Sequence, residues 1–450
     1  MDHGPPGHID ADRRDAAKRV YLLRATQISG ETMNRLSSLL ASAFILLVPL
    51  SSAHAAMPEA ATALFDAKTV AARDSALSTL EAAAPKDPAS AYAAGAGEFF
   101  AALELLASGL HRHGFESPQS FMLPLMQLPV PSNPNPEPLT YEEFRAILVT
   151  FRDRLAKSAA TLGSVPADAD IGMVIDLTHV GIDLNEDGTI APDESMAAIM
   201  AALSHGSISQ GDTAPVLTFR FDRADGYWLQ GYAEFLMAQA DFWLAHDFRG
   251  TFDGSFHMLF PRAKLPLQDI LVPPPSEMGS SIFSSEWRIA DFISMVHMIN
   301  WPVVEPERRK AARQELLEMI RLSREDWKAI RAETDNDREW LPGPQQKGEN
   351  PLTGLEVGEE QVQAWLATLS LAEDLLEGRA LLPHFRITGK GINMKRFFDE
   401  PKPFDLVLSI TGPGIAPYLE SGRILTSEDF DQIQREFGGG GFLTFALWFN

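Results

Sequence analysis

The sequence predicts a mainly α protein: a large multi-helix domain with Pro-rich connectors, one acidic twelve-residue loop of ion-binding type and minor short β segments. Three observations predict it. Apolar residues recur at three- and four-residue spacing through most of the chain after residue 56. Proline gathers between those stretches, with seven in residues 117–138 alone, where it ends helices rather than interrupting them. Period-two alternation is confined to short runs such as Val-Leu-Thr-Phe-Arg-Phe at 216–221.

The elements follow in order. Residues 60–84 form an Ala-rich helix with Leu64, Ala67, Val70 and Ala71 on one side, and residues 90–113 repeat the pattern with Phe99, Leu103, Leu106 and Leu110. After the first Pro-rich connector, residues 140–162 resume as a helix. Thr140 is its cap and Glu143 the reciprocating residue three positions on. A short helix is expected at 192–203 and a strand at 216–221. A strong helix at 225–247 carries Trp228, Tyr232, Phe235, Leu236, Phe242 and Trp243 on one face, with Gln239 as its polar interruption. A second Pro-rich connector covers 261–275. Helices then occupy 285–300 and 306–333, the latter with Pro306 in its first turn. A polar linker at 334–358 precedes a helix at 359–376 through Val362, Trp365 and Leu369. Residues 384–411 read as irregular and partly extended, 427–437 as a short helix, and the apolar end, 442–449, as a buried closing segment. Apolar faces continue across every linker, so 56–450 is expected to be a single large helical unit.

Composition narrows the function. The 450 residues hold 61 acids against 38 Lys+Arg, a formal charge of −23. An acidic chain of this kind lacks the basic face that nucleic acid requires. There is no cysteine, which excludes disulfides, thiolate metal sites and cysteine nucleophiles. Met33-Asn34-Arg35, the apolar run 36–50 and Ala53-His54-Ala55 have the layout of a secretory signal cleaved after Ala55. The run is too short for the ~20 residues of a bilayer span. The expectation is a signal peptide at 33–55, a periplasmic or secreted product, and no stable membrane insertion after cleavage. Residues 1–32 carry mixed charges outside that layout, and are read as an upstream extension with Met33 as the start.

The segment 183–194, Asp-Leu-Asn-Glu-Asp-Gly-Thr-Ile-Ala-Pro-Asp-Glu, sets oxygen-bearing side chains at Asp183, Asn185, Asp187 and Glu194 around Gly188. It resembles the calcium loop of the EF-hand family, and more narrowly the single loops of exported bacterial proteins. The resemblance covers little more than these twelve residues. It implies Ca2+ held by the side chains of Asp183, Asn185 and Asp187, the carbonyl of Thr189, a water at Ala191, and both oxygens of Glu194, with Ile190 as apolar anchor. The family pattern adds a helix on each side. Residues 171–182, with Gly172, Gly181 and β-branched residues, read poorly as an entering helix. No second loop is intact: a frame starting at Asp222 puts Ala224, Gly226 and Ala233 at ligand positions, and Asp335-Asn336-Asp337 lacks the glycine. A lone loop points to a structural ion rather than a sensor.

Other constellations are less specific. His246, Asp247, Asp253 and His257 contain zinc-ligand or acid–base chemistry, but at no diagnostic spacing, and a helix C-terminus accounts for the same residues. His111-Arg112-His113 reads as a helix end. Arg386, Lys390, Lys395 and Arg396 around Gly389-Lys390-Gly391 read as a hairpin turn. The tryptophans read as core rather than a sugar-binding groove. The function expected is an exported calcium-binding protein with a binding or scaffolding role. The alternatives are a periplasmic hydrolase near Asp241, His246, Asp253 and His257, and a calcium-dependent adhesion or assembly module.

Overall fold

The computed structural model describes residues 57–117, 129–203, 217–271, 286–333, 338–346, 357–429 and 435. The chain divides into two units, Met1–Ser52 and Ala53–Asn450, and every described residue belongs to the second. The expected signal segment, the helix at 427–437 beyond its first residues and the apolar end at 442–449 lie outside the described residues, as do parts of the Pro-rich connectors.

The described residues form a mainly α protein with minor β pairing. The helices are α1 (Glu59–Phe65), α2 (Val70–Ala83), α3 (Pro88–Arg112), α4 (Tyr141–Gly163), α5 (Met196–Leu203), α6 (Arg223–Leu244), α7 (Arg249–Ser255), α8 (Glu286–Met298), α9 (Pro306–Ile330), α10 (Glu359–Leu376), α11 (Met394–Asp399) and α12 (Leu406–Thr411). The strands are β1 (Met173–Asp176), β2 (Thr218–Phe221), β3 (Asn300–Trp301), β4 (Leu382–His384), β5 (Ile387–Ile392), β6 (Phe404–Asp405) and β7 (Leu419–Glu420). β1 pairs antiparallel with β2, from Met173 opposite Phe221 to Asp176 opposite Thr218. β3 pairs with β6, and β5 lies between β4 and β7.

Local chemistry sets the helix ends. Thr140 and Glu143 form the expected reciprocal cap: the Glu143 N–H donates to Thr140 Oγ1 at 3.2 Å, and the Thr140 N–H donates to Glu143 Oε2 at 2.8 Å. Pro306 occupies the first turn of α9. The helix expected at 60–84 is two helices. The chain turns extended at Lys68 and Thr69, Thr69 Oγ1 caps α2 by accepting from the Ala72 N–H, and the extended residues pair with the acidic loop described below. The irregular 384–411 segment resolves into a hairpin arm and two short helices. Gly389-Lys390-Gly391 lies inside β5 rather than at a turn, with Gly391 opposite Glu420.

Helix α6 lies along both α9 and α4, and α3 packs on α4. The main core includes Leu80, Ala93, Leu155, Leu162, Met173, Ala233, Ile320 and Trp327. Gripped on two sides, α6 buries Asp225, Gly226, Ala233, Ala240 and Asp241 together with Tyr227, Leu229, Met237 and Leu244, whereas the aromatic face read from the sequence (Trp228, Tyr232, Phe235, Leu236, Phe242, Trp243) is only half-buried. Trp301, Trp327, Trp340 and Trp365 are core side chains. Helix α3 has the length and apolar character of a membrane-crossing helix, but most of it is buried among its neighbours.

Candidate metal centre

The twelve-residue loop leaves a turn after β1 and ends in a single 3-10 turn, Pro192–Glu194, that leads into α5. Its entering side is therefore a strand and turn, not the helix of the EF-hand pattern. Gly172, Val174, Ile175 and Val180 disfavour a helix there, and β2 supplies an antiparallel partner instead.

Inside the loop the side chains of Asp183, Asn185, Asp187 and Glu194 are each placed by backbone N–H groups. Asp183 Oδ1 accepts from Asn185 N at 3.2 Å and Asp187 N at 3.3 Å, and its Oδ2 accepts from Gly188 N at 2.8 Å. Asn185 Oδ1 accepts from Asp187 N at 2.9 Å, and Asp187 Oδ1 from Thr189 N at 2.7 Å. Glu194 folds back over the loop: Oε1 accepts from Leu184 N and Oε2 from Ala191 N, both at 2.9 Å. Gly188 has φ +82°, a conformation that a Cβ penalises. Gly181 lies so close to the loop's exit that a Cβ there would stand 2.5 Å from Ile190 Cγ2 and 3.0 Å from the Glu194 carbonyl oxygen.

Asp183 and Glu194 are each only 3% exposed, and among the described residues no basic side chain is hydrogen-bonded to either. Burial, with the charges of Asp183 and Asp187 behind it, pushes the Glu194 carboxyl above its ordinary range. A hard cation would relieve that repulsion. The donor set of carboxylate, amide and carbonyl oxygens, with no nitrogen or sulfur, fits Ca2+. The carboxylates of Asp183, Asp187 and Glu194 do not all gather within 4.8 Å of one another.

The place a partner loop would take is occupied by the turn between α1 and α2. Ile190 N donates to the Lys68 carbonyl at 3.0 Å, Val70 N donates to the Gly188 carbonyl at 3.2 Å, and Thr189 bridges Thr69. Ile182 and Leu184 pack with Ala107 of α3 and Ile199 of α5. Glu104 of α3 accepts from Asp183 N at 2.8 Å while paired with the buried Arg73. Arg112, at the end of α3, donates through Nε to Glu186 at 2.9 Å. Three helices, α2, α3 and α5, and the turn between α1 and α2 thus converge on the loop. Sequence reasoning missed Lys68, Thr69 and Glu104, because none has a ligand's position in the loop motif. Glu104→Ala removes the acceptor that fixes the first loop residue. It is expected to weaken calcium binding roughly 10-fold or more, as losses of outer supporting groups do, measured by titration calorimetry at constant far-ultraviolet signal.

The other expected cluster is dispersed. His246, two residues past the end of α6, is fully buried; its Nδ1 lies 2.6 Å from the Phe242 carbonyl and its ring packs near Phe242, Trp301 and Phe404. Burial lowers its pKa to about 4, so the imidazole is neutral. His257 is buried beside Asp291, with Nε2 3.7 Å from Oδ1. Asp247 accepts from Tyr141 Oη at 3.0 Å. None of these residues joins a trio of ligand atoms of metal-binding spacing among the described residues. Asp241 is clamped between Arg152 (2.9 Å) and Arg308, and Arg152 also holds Glu315 at 2.9 Å.

Burial, and next the Asp241 charge, push Glu315 up to about 8, against the pull of Arg152; burial alone dominates the rise of Glu234 to about 7. The unfolded chain titrates such groups near 4.3. Between those values the folded state holds more protons, so stability declines as pH rises toward 8. His246 works in the opposite sense below about pH 6.5, where only the unfolded imidazole takes a proton. The melting temperature is therefore expected to fall between pH 6.5 and 8.5, and Glu234→Gln to flatten that slope. A melting temperature that rises over this window would contradict the burial of these carboxylates.

No protein family, curated protein or solved structure matches the chain.

Proposed function

We propose that the chain is an exported, mainly helical calcium-binding protein in which the loop 183–194 holds a structural ion. What supports it above all is the loop's combination of spacing and support. Asp183, Asn185, Asp187, Thr189 and Glu194 offer hard oxygens around Gly188, two of the carboxylates are buried with no basic partner among the described residues, and the backbone is already paired to Lys68 and Thr69. The ion would neutralise that buried charge and fasten α2, α3, α5 and the turn before α2 to one another through the loop. A structural role follows from the strand on the entering side: a sensor opens a pair of helices flanking its loop, and here there is one helix and one strand. Export rests on the signal layout at 33–55, and the periplasm or the exterior supplies the calcium that a weak, non-signalling site needs. A binding or scaffolding role suits the clamped Asp241 and the neutral, enclosed His246 better than hydrolysis does. Titration calorimetry with CaCl2 and a melt in calcium against chelator test the reading. A thermal shift with no gain of helical signal is expected. The absence of both heat and shift would overturn it.

A further inference from the structure

The packing of α6 along α9 gathers carboxylates that are distant in sequence. Asp222 caps α6, its Oδ1 accepting from Ala224 N at 2.8 Å. Glu333 lies just past the end of α9. Glu339 follows it and is held beside β2, where Arg220 N donates to the Arg338 carbonyl at 3.1 Å and Arg220 bridges Glu339. One oxygen from each of Asp222, Glu333 and Glu339 lies within 4.8 Å of the other two, the tightest such trio among the described residues.

A second observation stands behind the cluster. Asp326 of α9 is 0% exposed, and neither of its carboxylate oxygens has a hydrogen-bond partner. The charges it faces are those of Glu333 and Asp222. Asp225 is buried too, facing Asp222, Asp326 and Glu339 while accepting from Asp222 N at 2.8 Å. Arg220 Nη1 stands 4.0 Å from Asp222, Arg223 stacks over the Tyr227 ring at 3.7 Å within reach of the Asp222 charge, and Gln346 donates to Glu333 at 3.1 Å. Glu333 lies at the negative end of the α9 dipole, where a cation is favoured. A desolvated, unbonded carboxylate of this kind is costly unless protonated or met by a cation. A cavity of about 360 Å3, lined by Ile330, Arg331, Glu333, Gly343 and Gln346 among others, opens beside Glu333 and offers a route in.

We propose that Asp222, Glu333 and Glu339, backed by Asp326, form a second calcium site, separate from the 183–194 loop, that pins the end of α9 to the start of α6. All donors are oxygen, which selects a hard cation over zinc or copper. A site built only from carboxylates, with several oxygens to offer, suits calcium's six to eight oxygen ligands and flexible geometry.

The test uses the full exported chain with Glu194→Gln, which silences the loop, and CaCl2 as the only ligand. One binding heat with a thermal shift should remain. Glu333→Gln with Glu339→Gln in that background should abolish both. Asp326→Asn should weaken the remaining binding roughly 10-fold or more, and should raise the melting temperature in chelator, because the buried charge is gone. Should the double variant fail to fold, Glu339→Gln alone decides, since that side chain is only half-buried. A folded Glu194→Gln protein with neither heat nor shift would overturn the site, as would a remaining heat indifferent to Glu333 and Glu339. Failure of the loop reading looks different: Glu194→Gln would then leave the whole calcium titration unchanged, while the Glu333 and Glu339 substitutions still removed heat.

Discussion

Glu194→Gln is expected to abolish calcium stabilisation by the loop while leaving the calcium-free fold intact. The amide keeps the side chain's size but loses its charge and one of its two acceptor oxygens. In the calcium-free state two effects oppose: a buried carboxylate raised by burial and by its neighbours Asp183 and Asp187 loses its charge, while one of the Leu184 and Ala191 N–H groups loses its acceptor, so the net change is small. In the calcium state the loss falls on the bidentate ligand. Linkage gives the scale: at free calcium one hundred times the dissociation constant, the loop ion contributes about 2.7 kcal/mol, and a hundredfold weaker site would retain about 0.4 kcal/mol. Asp183→Ala should act in the same direction with an added cost, since three backbone N–H groups lose their acceptor. The far-ultraviolet signal should change little with calcium, because β1 rather than a helix precedes the loop. A thermal shift as large in Glu194→Gln as in the wild type would remove the loop as its source. A large helical gain on adding calcium would replace the structural role with a sensor's.

The helices were legible where one local device decided them. α10 runs over the expected 359–376, and α4 starts at the Thr140–Glu143 cap because both halves of that cap lie within four residues. The acidic loop was legible for the same reason: its donors are contiguous, and a single glycine supplies the turn. What surrounds it was not. The break at Lys68 and Thr69 serves a partner more than a hundred residues away, and Glu104 joins Asp183 only because α3 passes beneath the loop. On α6 the aromatic stripe drew attention, yet contact with α4 and α9 on both sides buries Asp225 and Asp241 more deeply than Trp228 or Trp243. The same packing explains why Asp222 read only as a failed loop start. Its neighbours Glu333 and Glu339 come from the far end of α9, a juxtaposition that no local period encodes.

Phe248→Ala is expected to be the most damaging single core truncation near the histidines. The Phe248 side chain is fully buried. Its ring meets Tyr141 edge-on at 4.9 Å and Trp243 at 5.1 Å, with Phe144 at 6.1 Å. These belong to an aromatic cluster with Phe252, Phe256, Phe260 and Trp301. Removing such a ring loses its transfer energy and leaves a cavity that rigid aromatic neighbours cannot close, for a cost of about 3–5 kcal/mol. The backbone at the same residue has a separate role: Phe248 N donates to Tyr141 Oη at 3.1 Å, and that hydroxyl donates to Asp247. Tyr141→Phe keeps the ring and loses both bonds. It should cost less, about 1–3 kcal/mol, chiefly through the unsatisfied Phe248 N–H. Urea unfolding of the two variants measures both. A Phe248→Ala loss below about 1 kcal/mol would mean that the cluster is loosely packed. His246 and His257 would then sit beside a yielding wall rather than inside a core, and the histidine-based chemistry set aside here would regain its physical basis.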